Sequence, residues 1–462
     1  MLRLKLKKME SVMQADGKTS RRSFIKAAGA AASAFYIVPS RVLGKNAPSN
    51  KLNIAAVGVG GMGHGNLKAC AEENIVALCD VDAQYAANTF KEYPRAKIYK
   101  DFRVMLEKEK GIDAVIVATP DHTHAVITMA AMQLGKHVYC QKPLTHTVFE
   151  ARKITEAARY YKVQTQMGNQ GHSSEHIRML KEWLADGAVG TVREVHAWTD
   201  RPVGGDPWST FAVQAKPTDT PPVPEYLDWD LWLGPVKYRP YHPDYHPTKW
   251  RAWLDFGTGA MGDMGCHILD PAFYALDLEA PTEIQATSTH WIPEVASQTF
   301  PLASIVRMKF PERNGRAAVN LTWYDGRLMP PIPEALEPGR RLPESGAFII
   351  GDKGVILHGS HGAGGMRLIP ESAQKAYTPP PKTIPRVDNT HEGDWIRACK
   401  DGVPACSTFD YGGPLTETAL LGMIAVQVKD QRLEWDAKNL RFTNNEQANA
   451  LLHIDYREGW TL

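Results

Sequence analysis

Residues 53–82 read NIAAVGVGGMGHGNLKACAEENIVALCDVD. A short apolar run leads into a turn rich in glycine, a segment of helical character follows, and a second apolar run ends at Asp80. Strand, glycine turn, helix, strand and acid in this order are typical of a βαβ unit in a parallel sheet. The fold prediction therefore starts from this stretch.

The glycines of the turn have the spacing of loops that hold a dinucleotide. Gly58 allows a tight turn, Gly60 lets the backbone approach a pyrophosphate, and Gly63 lets helix and strand pack closely. The free N–H groups at the start of the helix favour the phosphates. The predicted loop residues are Gly58, Gly60, Gly61, Met62 and Gly63.

Asp80 lies about 20 residues beyond the loop, where an acid accepts hydrogen bonds from ribose hydroxyls and repels a 2′-phosphate. We predict that the stretch binds NAD, with NADP less favoured. A tight turn in some other α/β domain is the structural alternative.

The 462 residues suggest two domains. A hydrophobic content of 43% and a charged content of 23% are ordinary for a soluble globular enzyme. The formal net charge of +2 argues against nucleic-acid binding and against a role at a membrane surface.

Residues 1–46 read as an export signal. A basic start precedes the twin arginine Arg21-Arg22, Phe24 and an apolar run, which is typical of a Tat signal and predicts a periplasmic protein. A basic disordered tail is the alternative. The apolar run is short for a membrane span and no clear cleavage site follows, so an uncleaved anchor stays open. The Tat route carries folded proteins, so an enzyme can be loaded with its cofactor before export. Because an exported enzyme could not rely on a free NAD pool outside the cytoplasm, we expect tightly held NAD.

Residues 47–170 continue the alternation of strands and helices, with six strand-like runs in all. This predicts a Rossmann domain with a doubly wound parallel sheet, whose ligands bind beyond the carboxyl ends of the strands. The cofactor-binding residues predicted from the ends of later strands are Thr119, Pro120, His124, Gln141 and Lys142.

Residues 171–462 form a second predicted region. Several strand-like runs without intervening helices indicate an α+β domain with a mostly antiparallel sheet. Residues 201–250 are rich in Pro, Trp and Tyr and lack periodicity; a loop of that length is usually functional or a lid. Residues 259–278 read as one helix with Pro271 inside it.

Three residues are predicted to carry the chemistry. Lys142 follows a strand end, where an ammonium can bind a hydroxyl or a developing oxyanion. Asp263 and His267 are four residues apart, on one helix face, so that the imidazole can take a proton and the carboxylate can orient it or the substrate. A surface lysine, a helix cap and a core histidine are the structural alternatives.

Two histidine pairs have helical metal-ligand spacing, His172 with His176 and His242 with His246. Neither pair has a third ligand near it in the sequence, so we predict no metal site.

Four motifs together resemble the Gfo/Idh/MocA family, which includes glucose–fructose oxidoreductase and inositol dehydrogenase. They are VGVGGMG at 57–63, ATPDHTHA at 118–125, QKP at 141–143 and GDMGCHILD at 262–270. The resemblance implies a Rossmann domain followed by a domain with a large open sheet often used for oligomerisation, so a dimer or tetramer is expected. It also implies catalytic roles for Lys142, Asp263 and His267, with His267 as the acid and base on a sugar hydroxyl.

The sequence departs from the family pattern where Gln141 replaces the Glu of the usual EKP motif. It departs again at residues 168–172, which read GNQGH. The predicted substrate residues are Asn169, Gln170, His172, Trp250 and Arg251.

The leading functional hypothesis is an NAD-dependent dehydrogenase of a small carbohydrate. An oxidoreductive glycosidase that recycles tightly bound NAD is the second hypothesis. A non-catalytic sugar-binding protein is the third, and the presence of Lys142, Asp263 and His267 argues against it.

Overall fold

The computed structural model of the chain describes residues 50–202, 216–289, 298–428 and 430–462. Residues Leu52–Leu462 form one compact unit, and every helix and strand given below belongs to it. The export signal predicted in residues 1–46 lies outside the described residues, so export and a periplasmic location stay predictions.

The first sheet has six strands in the order β3-β2-β1-β4-β5-β6, and each neighbouring pair is parallel. Its strands are β1 Asn53–Val57, β2 Asn74–Cys79, β3 Lys97–Tyr99, β4 Ala114–Val117, β5 His137–Gln141 and β6 Thr165–Gly168. The helices between them are α1 Gly61–Ala69, α2 Ala87–Glu92, α3 Phe102–Lys108, α4 Asp121–Gln133 and α5 Val148–Tyr161. This strand order is that of a Rossmann domain and confirms the first part of the fold prediction.

Alternate residues of the central strands enter different hydrophobic clusters. Val115 and Val117 of β4 pack into the main core, whereas Ala114 and Ile116 pack into a second cluster with Ile54. Both faces of the sheet are thus covered, which explains why these strands read as continuous apolar runs.

The second sheet has nine strands in the order β13-β12-β11-β7-β10-β9-β8-β14-β15. Its strands are β7 Val192–Trp198, β8 Glu283–Ser288, β9 Ser304–Phe310, β10 Val319–Tyr324, β11 Gly346–Gly351, β12 Val355–Gly359, β13 Arg367–Ile369, β14 Arg432–Asp436 and β15 Arg441–Phe442. Only the pair β7 and β10 is parallel among these described strands. The prediction of a mostly antiparallel sheet in the second domain is confirmed.

The remaining helices are α6 Glu175–Ala185, α7 Trp229–Leu233, α8 Gly259–Ile268, α9 Asp270–Ala275, α10 Glu371–Ala376, α11 His391–Asp401, α12 Phe409–Gln427 and α13 Glu446–Ala450. The prediction of one helix over residues 259–278 is wrong. Pro271 instead lies in the first turn of α9. A proline lacks the N–H that a continuous helix would need, and the first turn of a helix is where that loss is harmless.

The first sheet ends at Gly168 and the second begins at Val192. The predicted domain boundary after residue 170 falls in this interval and stays a prediction.

One face of the second sheet carries a cluster that includes Trp198 and Phe348, and Leu336 from the segment between β10 and β11 packs against it. The dimer or tetramer that the family resemblance implies also stays a prediction. None of the helices in the described ranges has the length and apolar character to cross a membrane.

Candidate active site

A cleft of about 330 Å³ opens at the carboxyl ends of the Rossmann strands. Gly58 after β1, Asp80 after β2, Thr119 after β4 and Gln141 of β5 line it. Ligands of doubly wound sheets bind at this edge, and the volume suits a small molecule.

The glycine loop has the close contacts that the sequence predicted. Gly58 has a φ of +77°, and a Cβ there would lie 2.7 Å from the backbone of Ala118. A Cβ on Gly63 would overlap the carbonyl oxygen of Gly58. Helix α1 begins after Gly60 without a side-chain cap, so no side chain occupies its first N–H groups. The loop therefore fits the phosphates of a dinucleotide.

Asp80 joins the glycine loop to the end of β2. Its Oδ2 accepts a hydrogen bond from the Val59 N–H at 2.8 Å, and its Oδ1 accepts one from the Asp82 N–H at 3.0 Å. Burial raises the pKa of Asp80, while these backbone N–H groups oppose the shift. The carboxylate is thus fixed in the cleft wall where the ribose of NAD is predicted to bind.

Lys142 and Asp263 meet across the cleft. The Lys142 Nζ donates to Asp263 Oδ1 at 2.7 Å and to the Asp263 carbonyl oxygen at 2.8 Å. Arg201 pairs with the other carboxylate oxygen, and Arg251 Nε lies 3.9 Å from Oδ1. Although burial raises the pKa of Asp263, these three cations hold it well below its usual range. Asp263 is therefore a fixed anion.

His267 lies in the same cleft as Lys142. Burial first, and the Lys142 ammonium second, lower the pKa of His267 well below its usual range, so the ring is neutral. The Asp263 carboxylate is hydrogen-bonded to Lys142 and Arg201, so the described structure gives no support to Asp263 orienting the imidazole. The ring instead packs on His361, with centroids 4.1 Å apart.

The other predicted cofactor residues that line the cleft are Gly60, Gly61, Met62, Pro120 and His124. Gly63 does not line the cleft, because it packs against Gly58 behind the loop. Of the predicted substrate residues, Gln170, Trp250 and Arg251 line the cleft.

Asn169 and His172 do not reach the cleft, so the structure does not support the prediction that they contact substrate. Asn169 is fully buried and accepts from Ser407 Oγ at 2.7 Å. His172 Nδ1 lies 2.8 Å from Asp270 Oδ1, with both side chains buried. A 3-10 turn follows β6 and rotates successive side chains apart, so that Gln170 alone faces the cleft.

Two domain models of one family match this chain. "Oxidoreductase family, NAD-binding Rossmann fold" matches residues 52–169, and "Oxidoreductase family, C-terminal alpha/beta domain" matches residues 174–298. Together they span just over half of the chain. The chain belongs to the Gfo/Idh/MocA family. Its first sheet is therefore the family's NAD-binding Rossmann fold.

Among curated relatives, a levoglucosan dehydrogenase from Pseudarthrobacter phenanthrenivorans is 22% identical over 53% of this chain and 55% of that protein. An inositol 2-dehydrogenase from Serratia proteamaculans is 29% identical over 34% of this chain and 49% of that protein. The chain thus spans about half the length of the curated relatives it matches. The solved aldose-aldose oxidoreductase from Caulobacter crescentus shares the fold, with a TM-score of 0.55 and 18% identity over 83% of this chain and 100% of that chain.

In this Gfo/Idh/MocA protein, the ring of His124 links two main-chain segments of the cleft wall. Its Nδ1 lies 2.8 Å from the Pro143 carbonyl oxygen, and its Nε2 lies 2.8 Å from that of Thr119. Two carbonyl acceptors are both satisfied only when both ring nitrogens carry a proton. Burial lowers the pKa of His124, but Cys140 and Asp121 raise it to about 9. Both ring nitrogens are thus engaged by the main chain, and contact with the cofactor stays a prediction.

We call residues 216–256 the strap; they contain most of the described part of the insert predicted at residues 201–250 and continue past it. It pairs through its main chain with the segment directly after Asp80. Ala83 N–H donates to the Tyr226 carbonyl at 3.0 Å, and Asp228 N–H donates to the Val81 carbonyl at 2.9 Å. The strap thus packs on the Rossmann domain of its own chain.

Buried side chains fasten the strap further. His246 Nε2 lies 2.6 Å from Asp82 Oδ2, and both side chains are less than a tenth exposed. His122 Nε2 lies 2.9 Å from the Trp232 carbonyl. Burial lowers the pKa of His122 to about 3, so its neutral ring packs between Trp232 and Phe256. Trp232 and His246 line the cleft, so the strap forms one of its walls.

The C-terminal tail closes the same region. Arg457 N–H donates to the Pro235 carbonyl at 3.0 Å, and its Nε donates to the Gly234 carbonyl at 2.6 Å. Trp460 then packs beside Phe102, with ring centroids 6.1 Å apart, and both rings line the cleft. Strap and tail thus enclose the cleft on the side of β3 and α3.

Among the cleft residues that were not predicted are Tyr85, Arg201, His361 and Trp460. A signal existed for His361, because the stretch SHGAGG at residues 360–365 is dense in glycine as loops near ligands often are. Tyr85, whose ring packs on Gly60 and Gly61, has no distinguishing sequence context.

Proposed function

We propose that this chain is an NAD-dependent oxidoreductase acting on a hydroxyl of a sugar, glycoside or sugar derivative, with His267 as acid and base. The observation that carries the proposal is the grouping of Lys142, Asp263 and His267 in the cleft that also contains the glycine loop. The names of the levoglucosan and inositol relatives support a polyhydroxylated substrate.

Lys142 is suited to hold the reacting hydroxyl. An ammonium has three N–H donors, and Asp263 takes two of them through Oδ1 and its carbonyl oxygen. The third remains for an oxygen of the substrate. Since the Asp263 carboxylate fixes Nζ in place, that donor stabilises negative charge as it develops on the hydroxyl oxygen.

His267 is suited to take the hydroxyl proton. Its Nδ1 is buried without a hydrogen-bond partner among the described residues, which leaves Nε2 as the atom that accepts the proton. The lowered pKa of His267 keeps this nitrogen unprotonated at neutral pH. NAD, when bound, supplies a hydride acceptor at its nicotinamide ring.

The substrate proposal predicts a spectroscopic signal without added nucleotide. Purified protein mixed with a panel of sugars, polyols and glycosides is expected to gain near-ultraviolet absorbance, up to one reduced nucleotide per chain. Omitting the sugar is the control. No absorbance change and no product with any member of the panel contradicts the proposal.

A recycled cofactor is a second candidate mode of action, favoured by the enclosure of the cleft by strap and tail. An oxidoreductive glycosidase would then give net hydrolysis of a glycoside, with no lasting absorbance change. The same panel distinguishes the two, because a dehydrogenase accumulates oxidised sugar and a glycosidase accumulates free sugars.

Enclosure also supports the proposal of tightly held NAD. Trp460→Ala removes a ring from the cleft wall, and we expect NADH to dissociate about 10-fold faster, a change of about 1.4 kcal/mol. The release of NADH is followed by the loss of its fluorescence when excess NAD is added. Tyr238→Ala is the matched control, because this strap residue is 70% exposed. Equal dissociation rates for Trp460→Ala and the control contradict the role of the tail.

A further inference from the structure

A buried carboxylate lies behind the cleft wall. Glu392, in the first turn of α11, is 8% exposed. Its Oε1 accepts from Asn66 Nδ2 at 2.8 Å and from the Tyr139 hydroxyl at 3.2 Å. None of these three residues lines the cleft, but two hydrogen-bonded paths lead from Glu392 to residues that do. Asn66 bonds to Gln141, and Tyr139 bonds to Gln170.

The first path runs through Asn66. A carboxylate only accepts hydrogen bonds, so the amide of Asn66 must turn its NH₂ group towards Glu392. Its Oδ1 is thereby turned towards Gln141 and accepts from Gln141 Nε2 at 2.9 Å. Because Nε2 of Gln141 faces Asn66, the amide atom of Gln141 that faces the cleft is its carbonyl oxygen, Oε1.

The second path runs through Tyr139. Burial, with the charge of Glu392 second, raises the pKa of Tyr139 well above its usual range, so the hydroxyl keeps its proton. That proton is donated to Glu392, and the hydroxyl oxygen accepts from Gln170 Nε2 at 3.3 Å. Gln170 is left with its own Oε1 for the cleft.

We propose that Glu392 is a positioning residue that fixes the amide orientation of Gln141 and Gln170. The cleft then presents two carbonyl oxygens, which accept hydrogen bonds from the hydroxyl or amide N–H groups of a bound ligand. A glutamine has two chemically different ends, so a neighbour must decide which one faces the ligand. The role in ligand binding rests on the proposed function, whereas the orientation itself does not.

The orientation is tested by reversing it. In Gln141→Glu carboxylates lie at both ends of the Asn66 amide, and only one end carries the NH₂ group, so one carboxylate opposes the amide oxygen. In the double variant with Glu392→Gln every hydrogen bond of the path can form with donor and acceptor exchanged. We expect Gln141→Glu to lower Tm by about 4 °C or more, and the double variant to recover at least half of that loss.

Thermal unfolding of the wild type, both single variants and the double variant measures this coupling. Recovery of Tm in the double variant supports the hydrogen-bonded path from Glu392 through Asn66 to Gln141. Losses of Tm that simply add in the double variant overturn it. This readout needs no ligand, so it stands even if the protein turns over no sugar. Failure of the proposed function is thereby distinguished from failure of the hydrogen-bonded path.

NADH binding tests the consequence for the cleft. Glu392→Gln leaves both orientations of Asn66 possible, and we expect the affinity for NADH to fall about 5-fold. Glu182→Gln is the matched control, because Glu182 is also a buried glutamate but accepts from the Thr383 N–H and from Arg386 and does not line the cleft. Unchanged NADH affinity in Glu392→Gln, or an equal loss in the control, overturns the positioning role.

Discussion

His267→Asn is expected to lower kcat by about 10²- to 10⁴-fold while NADH still binds, because it removes the proposed proton acceptor. Asparagine keeps part of the volume and polarity of the ring, so the cleft retains its shape. The measurement is cofactor reduction with the sugar identified in the panel, together with a separate titration of NADH binding.

The matched control is His361→Asn, which changes the exposed ring that packs on His267. We expect it to lower kcat by less than about 10-fold.

Because the pKa of His267 is lowered, the base is already unprotonated, and kcat/KM of the wild type should stay level from neutral to mildly acidic pH. A kcat for His267→Asn within about 10-fold of the wild type would falsify the assignment of the base.

Gly63→Ala is expected to destroy the cofactor site. The added Cβ overlaps the carbonyl oxygen of Gly58, which is backbone and cannot rotate away. Helix α1 must move away from β1, at a cost of about 3 kcal/mol, and we expect NADH affinity to fall about 100-fold. Thermal unfolding and NADH titration measure the two effects.

Gly65→Ala provides the control on the same helix. A Cβ at Gly65 meets nothing within 4 Å, so the substitution should stabilise α1 by about 0.5–1 kcal/mol and leave NADH affinity unchanged. If both variants bind NADH as the wild type does, the close packing at Gly63 has no part in cofactor binding.

The alternation of strands and helices in the sequence was enough to predict the Rossmann sheet. The central strands β1, β4 and β5 are buried on both faces, and so produce apolar runs that are visible in the sequence alone. An element paired with a distant segment was missed, namely the short β14, which pairs with β8. The single helix predicted over residues 259–278 is two helices, because Pro271 begins the second.

The site was predicted in part for a similar reason. Lys142 and Gln141 lie at a strand end, and topology brings all such ends to one edge. Asn169 and His172 follow β6, but the local turn directs them into the core. Arg201 and His361 come from segments far away in sequence, and only folding of the second domain brings them to Asp263 and His267.

The sequence by itself determined the glycine loop, the acid at the end of β2, and the types of group that carry the chemistry. These depend on local backbone geometry and on residue spacing, which a chain carries without its neighbours. Only the tertiary structure decided that Asp263 pairs with Lys142 and Arg201, that strap and tail enclose the cleft, and that Glu392 lies behind Gln141. Charge pairing and hydrogen-bond direction depend on distances between residues up to hundreds of positions apart, and packing sets those distances.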